Sequence, residues 1–190
     1  DSAEVQNAVR IVRAIAAAGL LATCGPIIFV LAPDKARAIL RELDQAVLTT
    51  GRRSERHAQA LLANLPEEAF VQIGDYFRMS LELAAELAFG RVTLAVFFGK
   101  AVKMAQGVPH THAAKSAMTL RRLSEWALEV SGDPDFADRV ARANTARHAF
   151  DFIRDAHPAL IARVGHNMIC AARRFSGGGL QLRGVVFDLD

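Results

Sequence analysis

Apolar residues along this chain fall into two kinds of run. Short, mostly apolar stretches occur at 26–31, 46–49, 70–73, 91–98 and 180–189, several of them rich in Val, Ile and Phe. Between them apolar residues recur at helical spacing, as at Val5, Val9, Val12 and Ile15. Mostly apolar runs of this length suit strands buried on both faces, the condition of a parallel sheet covered by helices. Start and stop signals then predict helices over 34–43, 54–62, 75–88, 100–106, 113–130, 135–154 and 158–175. Pro33 opens the first of these, Ser54 and Asp75 act as caps for two more, and Ser176-Gly177-Gly178-Gly179 breaks the last. This alternation predicts an α/β fold: a mainly parallel sheet of about five strands flanked by helices, in one three-layer domain over 1–190. Composition hardly changes near 43–46, the one place where a boundary could fall.

Composition narrows the class. The chain has 190 residues, of which 52% are apolar and 23% charged, as in a globular domain with a substantial core. A net charge of +3 suits an anionic ligand. The arginines are scattered on helices beside acids, with no dense basic block interleaved with aromatics, so nucleic acid is not expected. Two cysteines, Cys24 and Cys170, lie far apart in apolar surroundings and read as buried free thiols of a reducing, cytoplasmic protein. Residues 14–32 carry no charge and approach the length of a membrane span, but Gly25-Pro26 splits them into unequal pieces. Helix, turn and buried strand is the expected reading, with no membrane partner. The first residue is Asp1 and not Met, so a trimmed or processed chain is expected.

In an open α/β sheet, ligands bind beyond the carboxyl ends of the strands. Turns expected there are Thr49-Thr50-Gly51-Arg52-Arg53-Ser54, then Gly74-Asp75-Tyr76, then Phe98-Gly99-Lys100. Glycine lets a ligand approach the backbone, and a helix N-terminus offers N–H groups and the positive end of a dipole. Arg52, Arg53 and Lys100 add cationic groups suited to carboxylates. The segment 99–112 is more distinctive. Gly99, Lys100 and Lys103 begin it, with the two lysines one helical turn apart, and Gly107 ends the helix before Pro109-His110-Thr111-His112. A polar loop between helices suggests binding. His110 and His112 lack a third ligand at a useful spacing, so no metal is expected, and hydrogen bonding or proton exchange with a ligand is the better role.

The pattern G-K-x-x-K-x-A-x-G-x-x-H-T-H after an apolar strand resembles the central signature of the CbiD family, the cobalt-precorrin-5B C1-methyltransferases. Residues 47–56 resemble that family's strand and glycine turn before a Glu-Arg helix, 68–76 its next strand and turn, and 148–190 its closing helix and strand. The resemblance covers 46–190, while 1–45 match poorly and the family's N-terminal domain is absent. It implies S-adenosylmethionine-dependent methyl transfer to C1 of a cobalt-precorrin, a corrin-ring intermediate of anaerobic cobalamin biosynthesis. It further implies S-adenosylmethionine as cofactor, a cobalt-precorrin as small-molecule partner, and a separate or missing N-terminal domain; a homo-oligomer is compatible with it. By the same resemblance Lys100 and His112 would orient the reaction, while Thr50, Gly51, Arg52, Gly74, Asp75, Gly99, Lys103, His110 and Thr111 would line the ligand cleft.

The chain departs from the family pattern in three places. Val96-Phe97-Phe98 stands where a Gly-His precedes the Gly-Lys, Gly74 to Arg78 is bulkier than its counterpart, and Ala113 to Met118 replaces a Ser and an Ala-Asp-Ala-Arg run. These departures suit an alternative: a catalytically silent module, or partner subunit, that binds a corrinoid or another anion. Phe187-Asp188-Leu189-Asp190 resembles a phosphatase motif but reads as a closing strand, because no catalytic domain follows it. His148, His157 and His166 read as surface or satisfied helix residues, and Trp126 as packing.

Overall fold

The computed structural model describes residues 44–86, 89–111 and 116–188. Their centre is a four-stranded, wholly parallel sheet in the order β2-β1-β3-β4. The strands are β1 (Gln45–Thr49), β2 (Phe70–Gln72), β3 (Arg91–Phe97) and β4 (Gln181–Phe187). All four match runs expected from sequence; the fifth expected strand, at 26–31, lies outside the described residues, as do the helix over 34–43 and the uncharged run of 14–32. Among the described residues no helix is long and apolar enough to cross a membrane.

Successive side chains on a strand point to opposite faces, and the buried residues sort accordingly. Ala46 and Leu48 of β1, with Val92, Leu94 and Val96 of β3, belong to the larger core. Val47 and Ala95 face the other way, into a smaller core with Ala58 and Phe70. One helix, α1 (Arg52–Leu61), serves the smaller core through Ala58. The larger core takes side chains from α2 (Phe77–Glu86), α3 (Phe98–Ala105), α4 (Ser116–Ser131), α5 (Pro134–Ala141), α6 (Ala146–Ala156) and α7 (Ala159–Phe175). The crossover from β1 to β2 thus uses one face, and those from β2 to β3 and β3 to β4 use the other. This is what right-handed crossovers demand when the direction of strand addition reverses.

Several boundaries differ from the sequence reading for identifiable reasons. The single helix expected over 135–154 is two helices. Asp133 caps α5, its carboxylate accepting from the N–H groups of Asp135 at 2.9 Å and Phe136 at 3.1 Å, with Pro134 in the first turn. Thr145 then caps α6 by accepting from the His148 N–H at 3.1 Å. Asp-Pro and Thr are ordinary start signals that the continuous apolar periodicity concealed. Ser54 is not the cap of α1 but lies in its first turn. Gly51 holds the cap position, and the Ser54 hydroxyl accepts from the N–H groups of Thr50 at 3.1 Å and Gly51 at 3.2 Å. Cys170 is half-buried rather than buried, with its Sγ 3.4 Å from His166 Nε2.

Candidate functional site

Because β1 sends the chain to β2 on one side while β3 lies on its other side, the strand order reverses between β1 and β3. A crevice opens at such a switch point, outside the carboxyl ends of the two strands. The residues that border it are Thr49, Thr50 and Gly51 after β1, and Phe97, Phe98 and Gly99 after β3. The third expected turn is absent: β3 runs directly into α3, with Phe97 as N-cap and Gly99 inside the first helical turn. Even so, Gly51 and Gly99 both leave open space, since an added Cβ at either would meet no atom within 4 Å. The free N–H groups expected at the β1 turn are partly used, because Ser54 engages those of Thr50 and Gly51.

On the side of the larger core a polar knot joins the turn after β2 to α3. Gly74 takes φ 55°, a left-handed conformation that glycine adopts without a Cβ clash, and this turns the chain after β2. Asp75 follows and serves as an anchor instead of a helix cap. Its carboxylate pairs with the Lys100 ammonium and accepts from the Thr111 hydroxyl at 2.8 Å. The Asp75 carbonyl accepts from the Thr111 N–H at 3.0 Å. Thr111 is wholly buried, and its carbonyl accepts from Lys103 at 3.1 Å and Lys100 at 3.4 Å. The two lysines of α3 therefore converge on one carbonyl, as their one-turn spacing anticipates. Burial pushes the Lys103 pKa below its usual value, Lys100 pushes it the same way, and Asp75 opposes them.

Gly107, at φ 72°, closes α3 and sends the chain back toward Asp75. The Pro109 carbonyl accepts from the Arg78 N–H at 3.2 Å, and the His110 ring lies edge-on to Tyr76 with centroids 5.2 Å apart. His110 is exposed, and its imidazole is held by an aromatic contact rather than by the knot. Loop 107–111 is thus strapped to the start of α2 by both backbone and side-chain bonds.

The other side of the crevice carries a cluster that sequence reasoning missed. Phe97 and Phe187 are register partners on β3 and β4, with ring centroids 5.9 Å apart. The His57 ring of α1 lies 5.5 Å from each, and the Arg53 guanidinium sits 5.5 Å from the centre of Phe97. All three rings are half-buried. Asp188, just past β4, pairs with Arg154 at the same end of the sheet. Facing apolar residues at the ends of two strands were the available signal, but only strand order makes Phe97 and Phe187 neighbours.

The structure accordingly brings together Asp75, Lys100, Lys103 and Thr111, and sets Thr50, Gly51 and Gly99 along the neighbouring crevice. Arg52 is exposed in the first turn of α1. His112 lies outside the described residues. Among the described residues no group of three His, Cys, Asp or Glu could hold a metal ion.

Residues 110–190 match the family model described as CbiD, C-terminal domain. A cobalt-precorrin-5B C(1)-methyltransferase of Nitratidesulfovibrio vulgaris is 42% identical over 149 residues, covering 77% of this chain and 38% of that relative. Its namesake from Rubrobacter xylanophilus is 35% identical over 152 residues, with the same coverage of 77% and 38%. The protein of that name from Salinispora arenicola is 35% identical over 147 residues, covering 75% of this chain and 38% of the relative. The chain therefore spans well under half the length of the curated relatives it matches. No solved structure matches it significantly. With the parallel sheet and the Gly-Lys to Thr111 segment in place, these likenesses establish that the chain belongs to the CbiD family and carries its C-terminal domain.

Proposed function

We propose that this chain contributes the ligand cleft for S-adenosylmethionine-dependent methyl transfer to C1 of a cobalt-precorrin, in the cytoplasm. The observation that carries this reading is the meeting of Asp75, Lys100 and Thr111 beside open backbone at Gly51 and Gly99. It lies within a chain 42% identical to a relative named for that reaction.

S-adenosylmethionine supplies the methyl group as an electrophile, and the ring carbon is the nucleophile, so the protein's main task is in-line placement. The two glycines suit this task, because a flat ligand can lie against backbone where no side chain stands. Lys100 and Lys103 provide positive charge for substrate carboxylates, and Asp75 fixes the position of Lys100. Lys100 and its partner Asp75 are 31% and 30% exposed, so the pair can still be reached from solvent. Thr50, Arg52, Gly74, His110, Thr111 and His112 complete the proposed lining, with Lys100 and His112 orienting the reactants and taking no part in covalent chemistry. A further region, on the same polypeptide or on a separate chain, would supply what the remaining length of the relatives contributes.

A second reading, a silent module that binds an anion without turnover, draws on the knot itself: Asp75 already satisfies much of the Lys100 charge. Calorimetric titration with S-adenosylhomocysteine, beside Lys100→Ala, tests the two. One-site binding weakened by about 1 kcal/mol or more in the variant supports the methyl-transfer cleft. Absence of binding, both for this chain and for the chain joined to the family's N-terminal domain, would leave the silent module.

A further inference from the structure

Away from the strand ends, a groove of about 570 Å³ runs between the C-terminal end of α3, α4 and α7. That volume is in the range of small-molecule sites. Four guanidiniums line it, those of Arg121, Arg122, Arg163 and Arg174, against the carboxylates of Glu125 and Glu129. Two of the four are spoken for: Arg122 pairs with Glu125, and Arg163 with Glu129 at 2.6 Å. Arg121 and Arg174 form no ion pair among the described residues, so the groove carries a surplus of two positive charges. Asn167 of α7 adds an amide to the lining.

We propose that this groove is a second small-molecule site, distinct from the strand-end crevice, for an anion bearing two or more carboxylates. The surplus sits on two separate helices, which favours charge spread over a molecule above a compact dianion. Each guanidinium presents a planar fork that matches one carboxylate with two parallel hydrogen bonds. Glu125 and Glu129 set an electrostatic limit, since a denser anion between the arginines would also face those carboxylates. The groove also borders the loop that the knot holds. An added Cβ at Gly107 would come within 3.1 Å of Arg174 Nη2, so the guanidinium rests where loop 107–111 begins.

Trp126, the chain's single tryptophan, lines the groove with the Arg122 guanidinium 5.6 Å from its ring centre, and so serves as a built-in reporter. Citrate and inorganic phosphate would be titrated separately into the 190-residue chain, followed by tryptophan fluorescence and calorimetry. The expected result is saturable citrate binding that weakens about tenfold or more in the Arg121→Gln/Arg174→Gln double variant and is unchanged in Lys100→Ala. Phosphate is expected to bind more weakly than citrate. The proposal is overturned by absence of saturation up to about 10 mM citrate, by undiminished binding in the double variant, or by phosphate binding as tightly as citrate. Loss of citrate binding in Lys100→Ala would also overturn it, because the strand-end site would then be the one observed. Should the double variant not fold, each single glutamine substitution is read against the same criteria.

Discussion

The knot at Asp75 and the groove at Arg121 and Arg174 are both cationic, yet their charges are managed in opposite ways. In the knot a carboxylate, a buried threonine and two carbonyl contacts take up the lysine charge, and the result fixes a loop. In the groove two arginines are neutralised and two are left without an ion-pair partner among the described residues. Satisfied polar groups stabilise a fold, whereas an uncompensated charge at an exposed groove contributes little to stability and is available to a ligand. The knot should therefore respond to substitution through stability, and the groove through binding.

The largest expected effect sets the scale for that contrast. Leu94 is fully buried in the larger core at the centre of β3, so Leu94→Ala should cost about 2–5 kcal/mol in urea unfolding. A loss below that range would mean that the helices over this face close onto the cavity. Next comes Asp75→Ala, which removes the counterion of Lys100 and the acceptor of the buried Thr111 hydroxyl. A cost of about 1.5–3 kcal/mol is expected, with faster amide exchange in 107–111 than in β3. Equal exchange in the two segments would show that the backbone bonds alone hold the loop. Thr111→Val keeps the shape and deletes only the hydroxyl, so about 1 kcal/mol is expected from the same denaturation experiment. By contrast, Arg121→Gln/Arg174→Gln should leave stability within about 0.5 kcal/mol, as exposed substitutions away from core and caps generally do. A large stability loss there would erase the distinction between knot and groove.

The same contrast explains what the sequence made legible. β1 and β3 were visible because a strand buried on both faces is a nearly continuous apolar run, β4 showed only through Val185, Val186 and Phe187 after the glycine break, and the spacing of Lys100 and Lys103 announced a shared helix face. The knot was only half visible: residues 99–111 marked themselves by composition, but Asp75 looked like a helix cap. Its true partners lie 25 and 36 positions away along the chain. The groove was invisible for a stronger reason. In sequence Arg121, Arg163 and Arg174 are merely arginines scattered on helices, and only the packing of α3, α4 and α7 sets them around one space. His57, Phe97 and Phe187 were hidden likewise, since strand order decides which residues become neighbours.

The smallest expected effect tests whether burial and the neighbouring ammonium outweigh Asp75 at Lys103. Burial, with Lys100 as a like-charged neighbour, holds the folded-state pKa of Lys103 below 10.5. Between that lowered value and 10.5 the unfolded chain binds more protons than the folded one, so this residue's contribution makes stability rise with pH there. Below the folded pKa both states hold the proton, and the unfavourable charge is present in full. Lys103→Met removes the titration together with the hydrogen bond to the Thr111 carbonyl. Denaturation at a series of values from about pH 8 to about pH 10.5 should therefore show a smaller rise, or a steeper fall, in the variant than in the parent chain. Because the side chain is only half-buried, the difference should stay within a few tenths of a kcal/mol, and added salt should reduce the part owed to Lys100. A difference of opposite sign would mean that Asp75 outweighs burial and the neighbouring ammonium, and that Lys103 belongs among the knot's satisfied charges.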